Sequence, residues 1–284
     1  MQQSVQKEAR FARLLERTSE LDAVGRAVEA ARAGRGGWLL VSGQAGIGKT
    51  ELIRQALAGV SARGVRVAWA QGSEFERSFA FGVVRQLLEP LVAGASADDD
   101  GGPFAGAAHL ARAVVAPHGE GDALTSPEAP DYASLHGLYW LCVNLSDRRP
   151  LVLVVDDVQW ADEASLRWLG FVVRRVSGLP VLVVLSVRSG AEPSESPALG
   201  ELLAQSPTLT LRPRALSEDA TAELIARVLG QPTAAFVAAC HRATRGNPLF
   251  LTELLALLRD RNVQPDDAAA RGVEEVGPAQ VGQL

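Results

Sequence analysis

The chain has 284 residues, of which 47% are hydrophobic and 21% are charged, a composition that is typical of a folded globular protein and excludes an intrinsically disordered one. Its formal net charge is −5, so no bulk electrostatic attraction to nucleic acid or to an anionic membrane is expected. No apolar run is long enough to span a membrane, and the N-terminal residues are too polar for a signal peptide, which predicts a cytoplasmic protein.

Apolar runs alternate with helical periods up to about residue 213. The first helical pattern follows Ser19, which resembles a capping box with Asp22. Strands are predicted at 38–43, 65–70, 151–155, 181–187 and, more weakly, 208–213. Helices are predicted between the strands at 49–62, 79–93, 105–116, 132–147 and 163–176. The run at 151–155 is too continuously apolar to have a wet face, so the pattern predicts an α/β fold with a parallel sheet covered by helices on both faces.

The pattern changes after Pro213. Helical segments without an intervening strand follow at 217–230, 233–246 and 248–261. We therefore expect an α/β domain over 13–213 and a small helical lid subdomain over 214–262. Residues 263–284 have no sustained period, which predicts a linker or the start of a truncated next domain. Cys142 and Cys240 both lie in apolar helical patterns, where we expect small core residues and no disulfide.

A glycine-rich loop joins the first predicted strand to a helix. The stretch GQAGIGKT matches the G-x-x-x-x-G-K-[ST] pattern of a P-loop, whose backbone N–H groups turn inward on phosphates at a helix N-terminus. Lys49 is predicted to neutralise the β- and γ-phosphate oxygens, and Thr50 to coordinate Mg²⁺. The alternative is a glycine-rich turn with an unrelated lysine. The predicted ATP/ADP-binding residues are Gly43, Gln44, Ala45, Gly46, Ile47, Gly48, Lys49, Thr50 and Glu51.

Two aspartates follow the buried run LVLVV. Ligands of open α/β sheets bind outside the carboxyl ends of the strands, which is where Asp156 and Asp157 lie. Asp156 is predicted to hold Mg²⁺ as the Walker B acid, and Asp157 to orient or deprotonate the attacking water. The alternative is a loop-forming pair that caps the next helix. Further along, Trp160 is expected to be a core anchor and Asp162 an N-cap, in preference to catalytic roles.

Arg188 follows the strand VLVVLSV and is predicted to lie at the same edge of the sheet. An arginine at this edge can reach the γ-phosphate of ATP and respond to its loss, which would make Arg188 both a nucleotide contact and a catalytic residue. The alternative is an exposed arginine at the end of a strand.

Five segments in fixed order resemble the nucleotide-binding module of STAND ATPases, which belong to the AAA+ group. They are LLERTSELDAV, GQAGIGKT, LVLVVDDVQWADEASL, LSVR and GNPLFLTELL. Within that group the chain most resembles the large LuxR-type transcriptional regulators of actinobacteria, which FGVVRQLLEPL and LHGLYWLCVNL also resemble. The resemblance covers about residues 13 to 260.

The resemblance implies that Pro248 of GNPLF lies against the adenine, although an N-cap at Asn247 and an N1 proline explain the same residues. Glu16-Arg17 stands where the family usually has Gly-Arg. The family also implies a longer parent chain with C-terminal domains, including a helix-turn-helix. Since basic residues here are scattered, as at Arg148-Arg149 and Arg174-Arg175, we expect no specific DNA binding by this chain itself.

Three function classes remain open. The favoured one is a slowly hydrolysing ATP switch in a transcriptional regulator, whose nucleotide state controls assembly or activation. The second is a working AAA+ ATPase or a small-molecule phosphotransferase, and the third is a binding module without turnover. A homo-oligomer is possible, because Arg174 or Arg175 could serve a neighbouring copy, although a solvated helix face explains both residues equally.

Overall fold

A computed structural model of the chain describes residues 14–93, 102–115, 131–190 and 196–275. These residues fall into two units, which we call the sheet unit and the helical unit. The sheet unit comprises 22–42 and 53–212. The helical unit comprises 213–275 together with 14–21 and 43–52, so the P-loop belongs to the helical unit. No helix among the described residues is long and apolar enough to cross a membrane.

A five-stranded parallel sheet in the order β2-β3-β4-β1-β5 forms the centre of the sheet unit. Its strands are β1 Gly37–Gly43, β2 Arg66–Gln71, β3 Leu151–Asp156, β4 Val181–Arg188 and β5 Leu209–Leu211. In the register, Gln71 pairs with Asp156 and Val155 with Leu185. All of β3 is buried, as its unbroken apolar sequence predicts for a strand covered on both faces. This architecture, with helices on both faces, confirms the predicted P-loop NTPase fold class.

Helix α1 precedes the first strand, and the helices that follow it connect the strands of the sheet. Their bounds are α1 Thr18–Arg32, α2 Lys49–Ala56, α3 Gly82–Val92, α4 Arg112–Val115, α5 Tyr132–Arg148, α6 Glu163–Val173 and α7 Pro197–Leu203. Short 3₁₀ turns lie at Ser61–Arg63, Glu74–Glu76, Gly106–Ala111 and Val158–Trp160. Thus, half of the segment 105–116, predicted as a helix, is a 3₁₀ turn that leads into α4, and residue 116 lies outside the described residues.

Two helix starts differ from the sequence prediction. Helix α1 begins at Thr18, so Ser19 lies in its first turn, where its hydroxyl donates to the Glu20 carboxylate instead of capping the helix. Helix α3 begins at Gly82, three residues late, because the buried residue Phe81 has a left-handed φ of 61°. Pro90 does not end α3, which continues to Val92, because a proline this close to the C-terminus costs only a last-turn hydrogen bond.

The helical unit packs four helices around its own core: α8 Glu218–Val228, α9 Ala234–Thr244, α10 Pro248–Asp260 and α11 Asp267–Glu275. Ser217, Thr233 and Asn247 cap the first three, each accepting a hydrogen bond from a backbone N–H of the first turn. Helix α11 lies in the segment that we expected to be a linker or the start of a next domain. Its Ala270 and Val273 are buried in the core of the unit.

Both cysteines are free and buried, Cys142 in the sheet unit and Cys240 in the helical unit. Burial raises the pKa of each thiol to about 12, so neither is a thiolate at neutral pH. The prediction that both are small core residues is confirmed.

Candidate nucleotide-binding site

The P-loop runs from the end of β1 into the first turn of α2, within the helical unit. Gly46 and Gly48 have φ values of 75° and 92°, which side-chain-bearing residues rarely adopt, and this explains the two glycines. A Cβ at Gly43 would lie 2.9 Å from Cγ2 of Ile47, so the loop also needs the missing side chain there. The sequence thus provides the conformation in which backbone N–H groups can surround an anion.

Lys49 is the first residue of α2 and is buried. Its ammonium donates hydrogen bonds to the backbone oxygens of Gly43 and Gln44, each at 3.1 Å. The positive charge is therefore held over the loop, at a helix N-terminus whose N–H groups already favour anions.

The loop also contacts the start of α10, which belongs to the same unit. Asn247 donates from Nδ2 to the oxygen of Ala45 at 2.9 Å, and the N–H of Leu249 donates to the oxygen of Gly46 at 3.2 Å. Pro248 follows Asn247 as the first residue of α10. The sequence predicts only a capping role for Asn247, because residues that are 202 positions apart give no local signal of contact.

The acidic pair lies at the carboxyl end of β3 in the sheet unit. Asp156 is 1% exposed, and the hydroxyl of Ser186 on β4 donates to its Oδ1. The same hydroxyl oxygen accepts the backbone N–H of Asp157 at 2.8 Å. Ser186 thus orients the predicted Mg²⁺ ligand and fixes the backbone of its neighbour. A single serine inside an apolar strand gave no sequence signal of this role.

Asp157 and Arg188 are joined by a third residue, Gln159. The Asp157 carboxylate accepts from Nε2 of Gln159 at 2.9 Å and lies 3.8 Å from Nε of Arg188. Oε1 of Gln159 accepts the backbone N–H of Arg188 at 3.1 Å. Asp157 has a left-handed φ of 51°, a conformation that non-glycine residues seldom adopt outside turns and functional sites. The structure therefore brings the predicted water-orienting acid and the predicted sensor arginine together, and adds Gln159.

Asp162 is an N-cap, as predicted, and accepts the N–H of Ser165 at 2.9 Å. Its carboxylate also accepts the N–H groups of Phe81 and Val83, at 2.8 Å and 3.2 Å. Asp162 therefore supports the start of α3 as well as that of α6. Trp160, expected in the core, is only half-buried and lies under the guanidinium of Arg77, 5.4 Å from the ring centroid.

The Glu16-Arg17 pair binds the turn that precedes α8. Glu16 has a φ of 56°, in the region that favours glycine, and its carboxylate accepts from the N–H and the hydroxyl of Ser217. The buried Arg17 guanidinium donates to the backbone oxygens of Glu16 and Arg214, and burial lowers the pKa of Arg17. The pair thus has a structural role within the helical unit.

We expect acid sensitivity from the Glu16 contact. The hydrogen bonds from Ser217 lower the pKa of Glu16, because they favour the ionised carboxylate. They therefore stabilise the folded protein at pH values above the ordinary pKa of the carboxyl. This stabilisation is lost as the pH falls through the lowered pKa. Glu16→Gln should therefore reduce the difference in Tm between pH 7 and pH 3.5. Glu253→Gln, which changes an exposed carboxyl of α10, is the control. An unchanged pH profile in Glu16→Gln would contradict the expectation.

Comparisons with known proteins place this site in a family. Residues 13–184 match the model of the AAA ATPase domain, and residues 217–271 match a domain of unknown function (DUF8739). The uncharacterized protein R02095 of Rhizobium meliloti (strain 1021) is 30% identical over 298 residues, which cover 94% of this chain and 27% of that protein. The chain therefore spans about a quarter of the length of this curated relative.

Solved structures share the fold at low identity. The ORC2 protein of Aeropyrum pernix, in ADPNP-ADP complexes, has a TM-score of 0.55 and 13% identity over 92% of this chain and 68% of its own. A Walker-type ATPase of Pyrococcus abyssi has a TM-score of 0.54 and 13% identity over 93% of this chain and 72% of its own. Because the AAA ATPase model covers more than half of the residues and the P-loop lies within the match, the chain belongs to the AAA ATPase domain family.

Proposed function

We propose that the chain is an ATP-binding, slowly hydrolysing switch module of a transcriptional regulator, whose nucleotide state controls assembly or activation. The main support for a nucleotide site is the P-loop. Its two left-handed glycines and the Lys49 ammonium create a phosphate-binding loop at the start of α2. The family match and the ADPNP-ADP complexes of the A. pernix ORC2 protein support an adenine nucleotide as the ligand. The switch role itself rests on the sequence resemblance to STAND regulators.

The residues also fit a magnesium ion. Among the described residues no group of three or more His, Cys, Asp or Glu side chains could hold a metal ion alone. Mg²⁺ characteristically binds through one or two protein ligands and completes its shell with substrate phosphates and water. Within the sheet unit, the Asp156 carboxylate, oriented by Ser186, is a hard oxygen ligand of this kind. The Thr50 hydroxyl of the P-loop, assigned to Mg²⁺ from the sequence motif, is another. When bound, the ion neutralises charge on the β- and γ-phosphates.

Hydrolysis would transfer the γ-phosphoryl group of ATP to water and release ADP and phosphate. We assign the orientation of that water, and acceptance of its proton, to Asp157. Arg188, whose backbone is fixed by Gln159, would contact the γ-phosphate. Arg188 lies 3.8 Å from the Asp157 carboxylate, so a γ-phosphate would compete with Asp157 for the guanidinium.

Two measurements test the proposed function. The first identifies the nucleotide released when the purified protein is denatured by heat, where ATP or ADP is expected. The second is the steady-state turnover with Mg·ATP, expected far below the roughly 1–100 per second of kinases. A turnover in that faster range would favour a working AAA+ ATPase or a phosphotransferase instead. Failure to bind any adenine nucleotide would reject the nucleotide site.

We expect Arg188→Ala to weaken ATP more than ADP, because only ATP offers the γ-phosphate to this guanidinium. Loss of one charge-assisted hydrogen bond of about 1.5–3 kcal/mol corresponds to roughly a ten- to hundredfold loss of ATP affinity relative to ADP affinity. Calorimetric titration with both nucleotides measures the ratio. Arg167→Ala, which removes an exposed arginine of α6, is the matched control and should change neither affinity. If Arg188→Ala weakened the binding of ATP and ADP equally, Arg188 would contribute only general electrostatic attraction and would not sense the γ-phosphate.

A further inference from the structure

The start of α10 contacts the P-loop through two successive carbonyl groups. The carboxamide of Asn247 donates to the oxygen of Ala45 at 2.9 Å, and the N–H of Leu249 donates to the oxygen of Gly46 at 3.2 Å. Asn247 is 8% exposed, so its hydrogen bond is largely protected from competition by water. All of these residues belong to the helical unit.

Holding these carbonyls also orients the adjacent N–H groups. In a trans peptide plane the C=O and the following N–H point in opposite directions, and the chain contains no cis peptide bond among its described residues. With the oxygens of Ala45 and Gly46 turned toward α10, the N–H groups of Gly46 and Ile47 must turn away from it. The N–H of Ile47 accordingly lies inside the loop, 3.4 Å from the oxygen of Gln44, a long contact that a phosphate oxygen can replace.

The close approach gives a second reason for glycine at position 46. A Cβ at Gly46 would lie 2.8 Å from Oδ1 of Asn247 and 2.9 Å from Cβ of Leu249, and φ at Gly46 is 75°. A side chain there would therefore separate the P-loop from α10 as well as strain the backbone.

A capping role alone does not explain both ends of the Asn247 side chain. Its Oδ1 accepts the N–H of Leu249 at 3.1 Å, which is the N-cap bond. Its Nδ2 faces away from the helix and binds the P-loop. Serine would provide the cap equally well but could not reach the Ala45 carbonyl, so the two roles can be separated by mutation.

We propose that Asn247 is a positioning residue for nucleotide binding, which holds the Ala45–Gly46 peptide so that P-loop N–H groups face the phosphates. The proposal rests on the proposed nucleotide site. It makes phosphate affinity depend on the position of α10, and by thermodynamic reciprocity it makes bound nucleotide hold α10 against the loop.

The test compares Asn247→Ser with Thr233→Ala in the same unit. Asn247→Ser keeps a capping acceptor for α10, carries no charge and removes the donor to Ala45. We expect it to weaken both ATP and ADP about tenfold by calorimetry and to speed hydrogen exchange in the loop 43–50 of the nucleotide-free protein. Thr233→Ala removes the N-cap of α9, which does not touch the P-loop, and should lower Tm while leaving nucleotide affinity at the wild-type value.

Binding of ATP by Asn247→Ser within twofold of the wild type would overturn the proposal. It would also be overturned if Thr233→Ala weakened nucleotide as much, because the effect would then be a general loosening of the unit. A wild-type protein that binds no nucleotide would reject the proposed function instead. In that case, the exchange rates of the loop 43–50 would still decide whether Asn247 orders the P-loop.

Discussion

Replacing Lys49 by alanine is expected to weaken the binding of ATP by about two orders of magnitude. The substitution removes an ammonium that is fixed over the phosphate loop by the oxygens of Gly43 and Gln44. A hydrogen bond to a charged group contributes about 1.5–3 kcal/mol, and the Lys49 charge would act on both the β- and γ-phosphates. ADP, which lacks the γ-phosphate, should lose less. Calorimetric titration of Lys49→Ala with ATP and ADP measures both losses.

The control for this experiment lies on the same helix. Arg54 on α2 is exposed and its guanidinium lies 5.6 Å from the Trp69 ring centroid. Arg54→Ala thus removes one positive charge from α2 without touching the P-loop, and it should leave ATP affinity unchanged. Lys49 is one of only two lysines in the chain, the other being Lys7. Acylation of the two lysines with and without ATP therefore measures independently whether the nucleotide covers Lys49. ATP should protect Lys49 and not Lys7, and equal labelling with and without ATP would contradict the assignment.

The fold could be predicted because the relevant signals are local. A covered parallel strand must be apolar along its whole length, and 151–155 satisfies that condition by itself. The P-loop is likewise contained in eight consecutive residues, and the cap at Asp162 depends on the N–H of Ser165 three residues later. In each case the residues that meet the physical requirement are close together in the sequence.

The parts that were not predicted depend on distant partners. Ser186 orients Asp156 from the neighbouring strand, and nothing within the apolar segment of β4 distinguishes it as a ligand-orienting group. Phe81 takes a left-handed conformation since Asp162, 81 positions away, accepts its N–H and fixes the start of α3. Helix α11 is short, and its Ala270 and Val273 pack into a core whose other members come from α8, α9 and α10, so the burial that stabilises it depends on those distant partners.

Gln159 changes how Asp157 and Arg188 should be understood. The sequence alone predicts a catalytic aspartate and a separate sensor arginine. In the structure, Gln159 donates to the Asp157 carboxylate and accepts the backbone N–H of Arg188, so the three residues form one hydrogen-bonded group. A γ-phosphate that attracts Arg188 would weaken the 3.8 Å ion pair and make the Asp157 carboxylate available to water. This coupling would link catalysis to detection of the γ-phosphate.

Asp157→Asn is accordingly expected to abolish turnover while retaining Mg·ATP. Asparagine has the same shape and can still accept from Gln159, so the left-handed backbone and the position of Arg188 should be preserved. The amide cannot accept a proton from water, and loss of such a group typically reduces the rate by about 10²–10⁴-fold. Calorimetry should give an ATP affinity close to the wild-type value, because the principal phosphate and magnesium contacts are assigned to Lys49, Thr50 and Asp156.

Phosphate release by Asp157→Asn is measured in a single turnover. A charge-neutralising control variant then shows whether loss of any negative charge has the same effect. Asp147→Asn, which neutralises an exposed aspartate of α5, is the control and should hydrolyse ATP at the wild-type rate. If Asp157→Asn also hydrolysed at that rate, water would be oriented by another group and the carboxylate would serve only to hold Arg188. If it lost ATP affinity together with turnover, Asp157 would belong to the binding contacts instead. Retained affinity with lost turnover is the result expected of a catalytic carboxylate, because the shape of the side chain and its hydrogen bond to Gln159 are unchanged.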